Sequence, residues 1–86
     1  MTVTVSNAAL EVTLAWDANT EPNIAGYKVH VGDASGVYTR AIDVGNITTF
    51  TVTDLQRGHL CYFAVTAYDQ NGNESGFSSE VNTRTP

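Results

Sequence analysis

The run from Cys61 to Tyr68, CYFAVTAY, constrains this chain most. Cys61, Phe63, Val65 and Ala67 are apolar at every second position, while Tyr62, Ala64, Thr66 and Tyr68 are amphipathic or small. A period of two belongs to a strand with one buried face. The turn Leu55-Gln56-Arg57-Gly58 precedes it and the polar loop Gln70 to Gly76 follows. The chain therefore enters this strand round a corner and leaves it through a loop, as the central strand of a small sandwich does.

The rest of the chain repeats the pattern in shorter pieces. Thr2 to Ser6 alternates threonine and valine with Val3 and Val5 inward, and Asn7-Ala8-Ala9 reads as a turn. Leu10, Val12, Leu14 and Trp16 share one face of a strand from Leu10 to Trp16, and the indole is expected to fill the centre of the core. Asp17 to Asn23 is a polar loop in which Pro22 forbids a central strand. Gly26 to Val31 turns Tyr27, Val29 and Val31 inward and Lys28 and His30 outward, to solvent. Gly32 to Gly36 is then a hairpin loop into Val37 to Val44. After Gly45-Asn46, Thr48 to Thr53 is a strand with Phe50 and Val52 inward. Leu55 breaks the alternation at the corner, and Phe77 to Thr83 is the last strand before Pro86.

No helical period of 3.6 survives this pass, so the chain is all-β. Seven short strands at this spacing describe a Greek-key sandwich of immunoglobulin-like type. Its expected structural core is Leu14, Trp16, Tyr27, Val29, Val52, Leu55, Gly58, Cys61, Phe63 and Val65.

Composition narrows what such a sandwich does. At 86 residues the chain reads as a single domain, 1–86, and its one cysteine makes no internal disulfide. Its net charge is -5, with Lys28, Arg40, Arg57 and Arg84 as the fixed cations, which argues against nucleic acid and against a polybasic membrane role. No apolar stretch approaches the ~20 residues that cross a bilayer. Met1-Thr2-Val3-Thr4 does not read as the start of a signal peptide, so in an extracellular or cell-surface protein this segment would be a piece of a longer chain.

The runs VTLAWDAN (Val12 to Asn19), IAGYKVHVG (Ile24 to Gly32), LQRG (Leu55 to Gly58), YFAVTAYD (Tyr62 to Asp69) and GNESGFSSEV (Gly72 to Val81) together resemble a fibronectin type III domain. The resemblance covers nearly the whole chain and is nearest to the modules appended to bacterial extracellular proteins, particularly enzymes acting on polysaccharides. It implies a sheet of strands A, B and E packed on a sheet of strands C', C, F and G. It also implies termini at opposite ends, and a meeting at one end of the loops that hold Asp17, Glu21, Asp69 and Glu74. One position departs from the family. The residue three after the corner glycine is usually a tyrosine whose hydroxyl bonds back to the corner, but here it is Cys61, with Tyr62 one later. Either the corner bond is absent or a bulge lets Tyr62 supply it. An inward Cys61 is the expectation, because a shift of register would expose Phe63 and Val65.

No constellation of residues specifies a reaction or a cofactor. Cys61 lacks the exposed, cationic setting of a reactive thiolate, and His30 and His59 are too separated for a zinc signature. Asp69, Asn71, Asn73 and Glu80 fall at positions one, three, five and twelve of a calcium-loop spacing, but Glu74 stands where that loop needs glycine. No metal is therefore expected. A filled sandwich of this size offers no cleft for the paired carboxylates of a glycosidase. Asn46-Ile47-Thr48 and Asn73-Glu74-Ser75 fit the glycosylation pattern, which counts only in a eukaryotic secretory setting.

The surface to watch is the outward face of strands C and F, where Lys28, His30, Tyr62, Thr66 and Tyr68 are expected together. Two exposed tyrosines beside polar groups suit recognition, although cross-strand aromatics also stabilise sheets without binding anything. Two uses follow. The first is a non-catalytic, monomeric spacer whose partners are the neighbouring domains of its own chain, with Thr83 to Pro86 opening a linker. The second is a binding module that holds a protein or a carbohydrate through this face or through loops 17–23 and 70–76.

Overall fold

The computed structural model describes residues 3–8, 11–18, 23–53, 55 and 57–85. Their strands are β1 (Val3–Ala8), β2 (Glu11–Trp16), β3 (Ile24–Gly32), β4 (Arg40–Gly45), β5 (Thr49–Val52), β6 (Leu60–Asp69) and β7 (Val81–Arg84), and there is no helix among the described residues. They form two antiparallel sheets of order β1-β2-β5 and β4-β3-β6-β7. This is the all-β, two-sheet immunoglobulin-like sandwich the alternation implies.

The core lies between the sheets and is built at period two. Val12, Leu14 and Trp16 of β2 and Val52 of β5 face Tyr27, Val29 and Val31 of β3 and Cys61, Phe63, Val65 and Ala67 of β6. Trp16 meets Tyr27 edge to face, with ring centroids 5.8 Å apart. Its indole N–H is buried with no partner among the described residues, so Trp16 contributes apolar area rather than a polar tip. Leu55 is half-buried against this cluster. Gly58 is exposed and not a core residue: it serves the corner through its left-handed φ of 73°.

Several boundaries differ from the sequence reading. β1 runs on through Asn7 and Ala8, which pair with Val12 and Glu11, so the turn comes later. β4 begins at Arg40 rather than Val37, because the hairpin loop folds back over Gly32. A Cβ at Gly32 would fall on the Val37 carbonyl oxygen, and Val37 is left 58% exposed. The expected places of Thr2, Ala9, Leu10, Glu21, Pro22, Gln56 and Pro86 lie outside the described residues.

The largest difference is at the last strand, which begins at Val81 rather than Phe77. From Ser75 to Ser78 the chain still runs along β6, but serine hydroxyls replace backbone carbonyls. Ser75 N donates to Ala67 O at 2.7 Å and Ser78 N to Val65 O at 2.9 Å. In return, Ala67 N donates to Ser75 Oγ and Val65 N to Ser78 Oγ, both at 2.9 Å. The two hydroxyls pass their own protons to the carbonyls of Gly76 and Ser79. Contact with β6 therefore recurs every third residue, not every second, and segment 74–80 forms a strap rather than a strand.

The corner is closed from the C-terminal side. Cys61 is buried, and its Sγ lies 3.9 Å from His59 O. Thr85, 1% exposed, accepts a bond from His59 N at Oγ1 (3.1 Å) and exchanges backbone bonds with Gly58 and His59 at 3.2 and 3.0 Å. Arg84 donates to Gly58 O at 2.8 Å. Thr83 to Thr85, read from the sequence as the opening of a linker, are thus docked on β6 and the corner. Val3 pairs with Trp16 at the pole that also holds Thr48, Ile24 and Asp69, whereas Thr85 sits at the other pole with the corner. The molecule measures 39 × 21 × 19 Å along its principal axes.

Candidate functional site

The residues expected on the outer face of β3 and β6 do share it. Lys28 stands opposite Thr66, His30 opposite Ala64, Gly26 opposite Tyr68 and Gly32 opposite Tyr62. They do not form one open patch. Tyr62 and Tyr68 lie six residues apart on one strand, roughly 20 Å at a strand's rise, and the strap crosses between them. His30 is 9% exposed and Thr66 1%, which corrects the solvent-facing placement of His30.

The strap covers them with Glu74, Phe77 and Glu80, a second set of residues at spacing three. Thr66 donates its single hydroxyl proton to Glu74 Oε2 at 2.9 Å. His30 Nε2, 2.9 Å from the same hydroxyl oxygen, must then be the donor in that contact, which fixes the Nε2–H tautomer. Lys28 Nζ donates to Glu74 Oε1 at 3.3 Å. Phe77 stands edge to face with His30 at 4.9 Å and beside Tyr38 at 5.1 Å. Glu80 accepts from the Ser35 hydroxyl at 2.5 Å, from Gly36 N at 2.8 Å and from the Tyr38 hydroxyl at 2.6 Å.

The electrostatics follow from these contacts. Burial lowers the His30 pKa against the opposing pull of Glu74. The Thr66 hydroxyl and then Lys28 hold Glu74 below the usual carboxylate range, and the Ser35, Tyr38 and Gly36 donors do the same for Glu80. Burial and the Glu80 carboxylate push Tyr38 up to about 12.

Tyr68 is engaged within the domain. Its hydroxyl donates to Asp43 Oδ1 at 2.7 Å, and Lys28 Nζ lies 5.7 Å from its ring centroid. It lies across Gly26, where a Cβ would strike the tyrosine ring and hydroxyl. Tyr62 is half-buried at the far end.

Loops 17–23 and 69–76 meet at one end, where Gln70 N donates to Asn23 O at 3.1 Å and Asn23 Nδ2 to Asp69 Oδ2 at 3.5 Å, while Glu21 lies outside the described residues. Asp69 accepts from the backbone of Asn71 and Asn73, both at 2.9 Å, and from the Asn73 amide at 3.2 Å. Its carboxylate thus closes its own loop, while Glu80 serves the hairpin and Glu74 the sheet face, so the calcium-like spacing does not become a coordination shell. Among the described residues no group of three potential metal ligands comes together. A cleft of about 230 Å³ near the corner is lined by Val31, Asp33, Arg40, Leu55, His59 and Cys61. Burial and then Asp33 raise the Cys61 pKa, the opposite of what a nucleophilic thiolate needs.

Sequence reasoning missed Tyr38, Glu74, Phe77, Glu80 and Thr85 as organising residues. The available signal was the spacing of three in Glu74-Ser75-Gly76-Phe77-Ser78-Ser79-Glu80, which alternation at two does not describe.

The comparisons with known proteins agree with the architecture. The fibronectin type III domain profile matches residues 1–84. A Kelch domain-containing protein of Saccharolobus solfataricus is 40% identical over 68 residues, which is 79% of this chain and 8% of that protein. Among solved structures, the chicken CNTN1 FN1-FN3 domains superpose with a TM-score of 0.86 at 20% identity, over 96% of this chain and 30% of that one. Pectate lyase PelI of Erwinia chrysanthemi superposes with a TM-score of 0.77 at 22% identity, over 95% and 27%. This chain therefore corresponds to a small part of each of these larger proteins. No helix among the described residues is long and apolar enough to cross a membrane. The chain belongs to the fibronectin type III family.

Proposed function

We propose that this domain is a non-catalytic spacer that fixes the separation and direction of neighbouring domains in a larger, extracellular or cell-surface protein. The observation that carries this reading is the docking of Thr85 on the corner, at the pole opposite Val3. A chain leaving the domain after a docked residue is aimed by the domain, whereas one leaving from a frayed strand is not. The small share of each larger relative that this chain covers, 8%, 30% and 27%, supports a modular role. The proposed partners are thus the neighbours on its own chain. The polar contacts of Lys28, His30, Thr66 and Tyr68 are made within the domain, which favours this reading over capture of a protein or carbohydrate by that face.

The test is exchange in the parent protein. An unrelated β-sandwich with ends at opposite poles should restore full activity in place of residues 3–85, and a glycine-serine linker of equal contour length should not. Loss of activity with both replacements would overturn the spacer reading and revive a specific binding role.

A further inference from the structure

We infer that the exposed ring of Phe77 and the carboxylate of Glu80, both on the strap, form a docking site for an arginine side chain of another protein. Phe77 leans on His30 and Tyr38, with ring centroids 4.9 and 5.1 Å away, yet 58% of it remains exposed. The ring is held in place, because Ser75 and Ser78 on either side of it are bonded to β6. Val37, beside Tyr38 in sequence, is equally exposed. An aromatic ring kept at the surface by fixed neighbours loses little freedom when a partner covers it.

Charge selects the occupant. Glu80 takes one donor on Oε2, from Ser35, and two on Oε1, from Gly36 N and the Tyr38 hydroxyl. A carboxylate has about four acceptor positions, so one stays open on Oε2. All three donors are neutral, and no ion pair engages Glu80 among the described residues, so its negative charge is uncompensated. Lys28 is committed elsewhere, to Glu74 and the Tyr68 ring. Tyr38 joins the two parts of the site, its ring beside Phe77 and its hydroxyl on Glu80. A guanidinium suits both at once: its plane stacks on an aromatic ring while an N–H meets the carboxylate, which a compact ammonium does less well.

The position of the site excludes two other occupants. His30, under Phe77, pairs with Ala64 midway along β6, away from the poles that hold Val3 and Thr85. A domain attached at either pole lies off the end of this face. A second copy of the chain carries the same net charge of -5 and is repelled. The site therefore takes a basic segment of a separate protein, a use beyond spacing.

A peptide titration of the 86-residue chain, followed by NMR at low salt, tests the proposal. The probes are acetyl-Gly-Arg-Gly-Arg-Gly-amide and its counterpart with lysine in place of arginine. The arginine peptide should give saturable shifts at the Phe77 ring, Tyr38, Gly36 and Glu80, and the lysine peptide should bind more weakly. Phe77→Leu, which keeps an apolar side chain on His30, should weaken the arginine peptide about two- to fivefold, the strength of one exposed cation–π contact. Glu80→Gln should weaken both peptides. Shifts that never saturate, equal affinity of the two peptides, or unchanged affinity in Phe77→Leu would overturn the proposal. So would concentration-dependent shifts at Phe77 in the chain alone, which would assign the patch to a second copy. Should Phe77→Leu loosen the strap, seen as faster exchange at Val65 and Ala67, Glu80→Gln decides: weaker binding of the arginine peptide supports the site, and unchanged binding refutes it.

Discussion

At the scale of single residues, the hydroxyl at the corner illustrates how one polar atom is relocated. The chain places a thiol where a tyrosine would normally bond the corner, and Thr85 supplies an oxygen from the opposite side, accepting from His59 N. Thr85→Val should therefore cost about 1 kcal/mol in chemical denaturation, the net worth of one part-buried hydrogen bond, and Thr85→Ser should recover most of it. Cys61 is inward, with its pKa raised by burial. Its thiol should react with an aromatic disulfide reagent no faster than the domain opens, and rapid stoichiometric labelling of the native protein would contradict that placement. The inward side of Cys61, Phe63 and Val65 was legible because alternation alone specifies it. The partner of the corner was not, because nothing local ties Thr85 to a residue 26 positions earlier.

At the scale of elements, the strap separates what a period-two reading captures from what it loses. Val12, Leu14, Val29, Val52 and Val65 alternate and lie in the core. Phe77 through Glu80 read as a strand because the residues are strand-like, but Ser75 and Ser78 replace ladder carbonyls with hydroxyls and change the repeat to three. That change carries Glu74 and Phe77 over β3 and buries His30, which alternation alone turns to solvent. Ser75→Ala and Ser78→Ala together should destabilise the domain by about 2–4 kcal/mol, since each orphans one strand N–H. The loss should appear first as faster exchange at Ala67 and Val65. A double variant as stable as the parent would mean the serine relays are dispensable.

At the scale of the whole molecule, the carboxylates set the acid limit. Glu74 and Glu80 are held below their ordinary value of 4.5, and Asp43 and Asp69 below 3.8. A depressed native pKa adds stability that is complete above the ordinary value and lost as pH falls through the native one. The denaturation midpoint should therefore drop steeply only below about pH 4, beyond the smaller effect of His30, and Glu80→Gln should flatten that drop. A midpoint that rises on acidification would contradict these contacts. The sandwich was readable from alternation and turns, and its strand order from the resemblance to the fibronectin type III family. The use of the outer face was not, because exposure there depends on a strap that crosses it.

A domain that aims its neighbours from two fixed poles, as proposed, holds them at a fixed separation. Pulsed electron resonance between spin labels on the flanking domains of the parent protein tests it most directly, with the buried Cys61 left unlabelled. A single narrow distance distribution is expected, unchanged by Tyr62→Ala with Tyr68→Ala. A broad distribution like that of a flexible linker would contradict it.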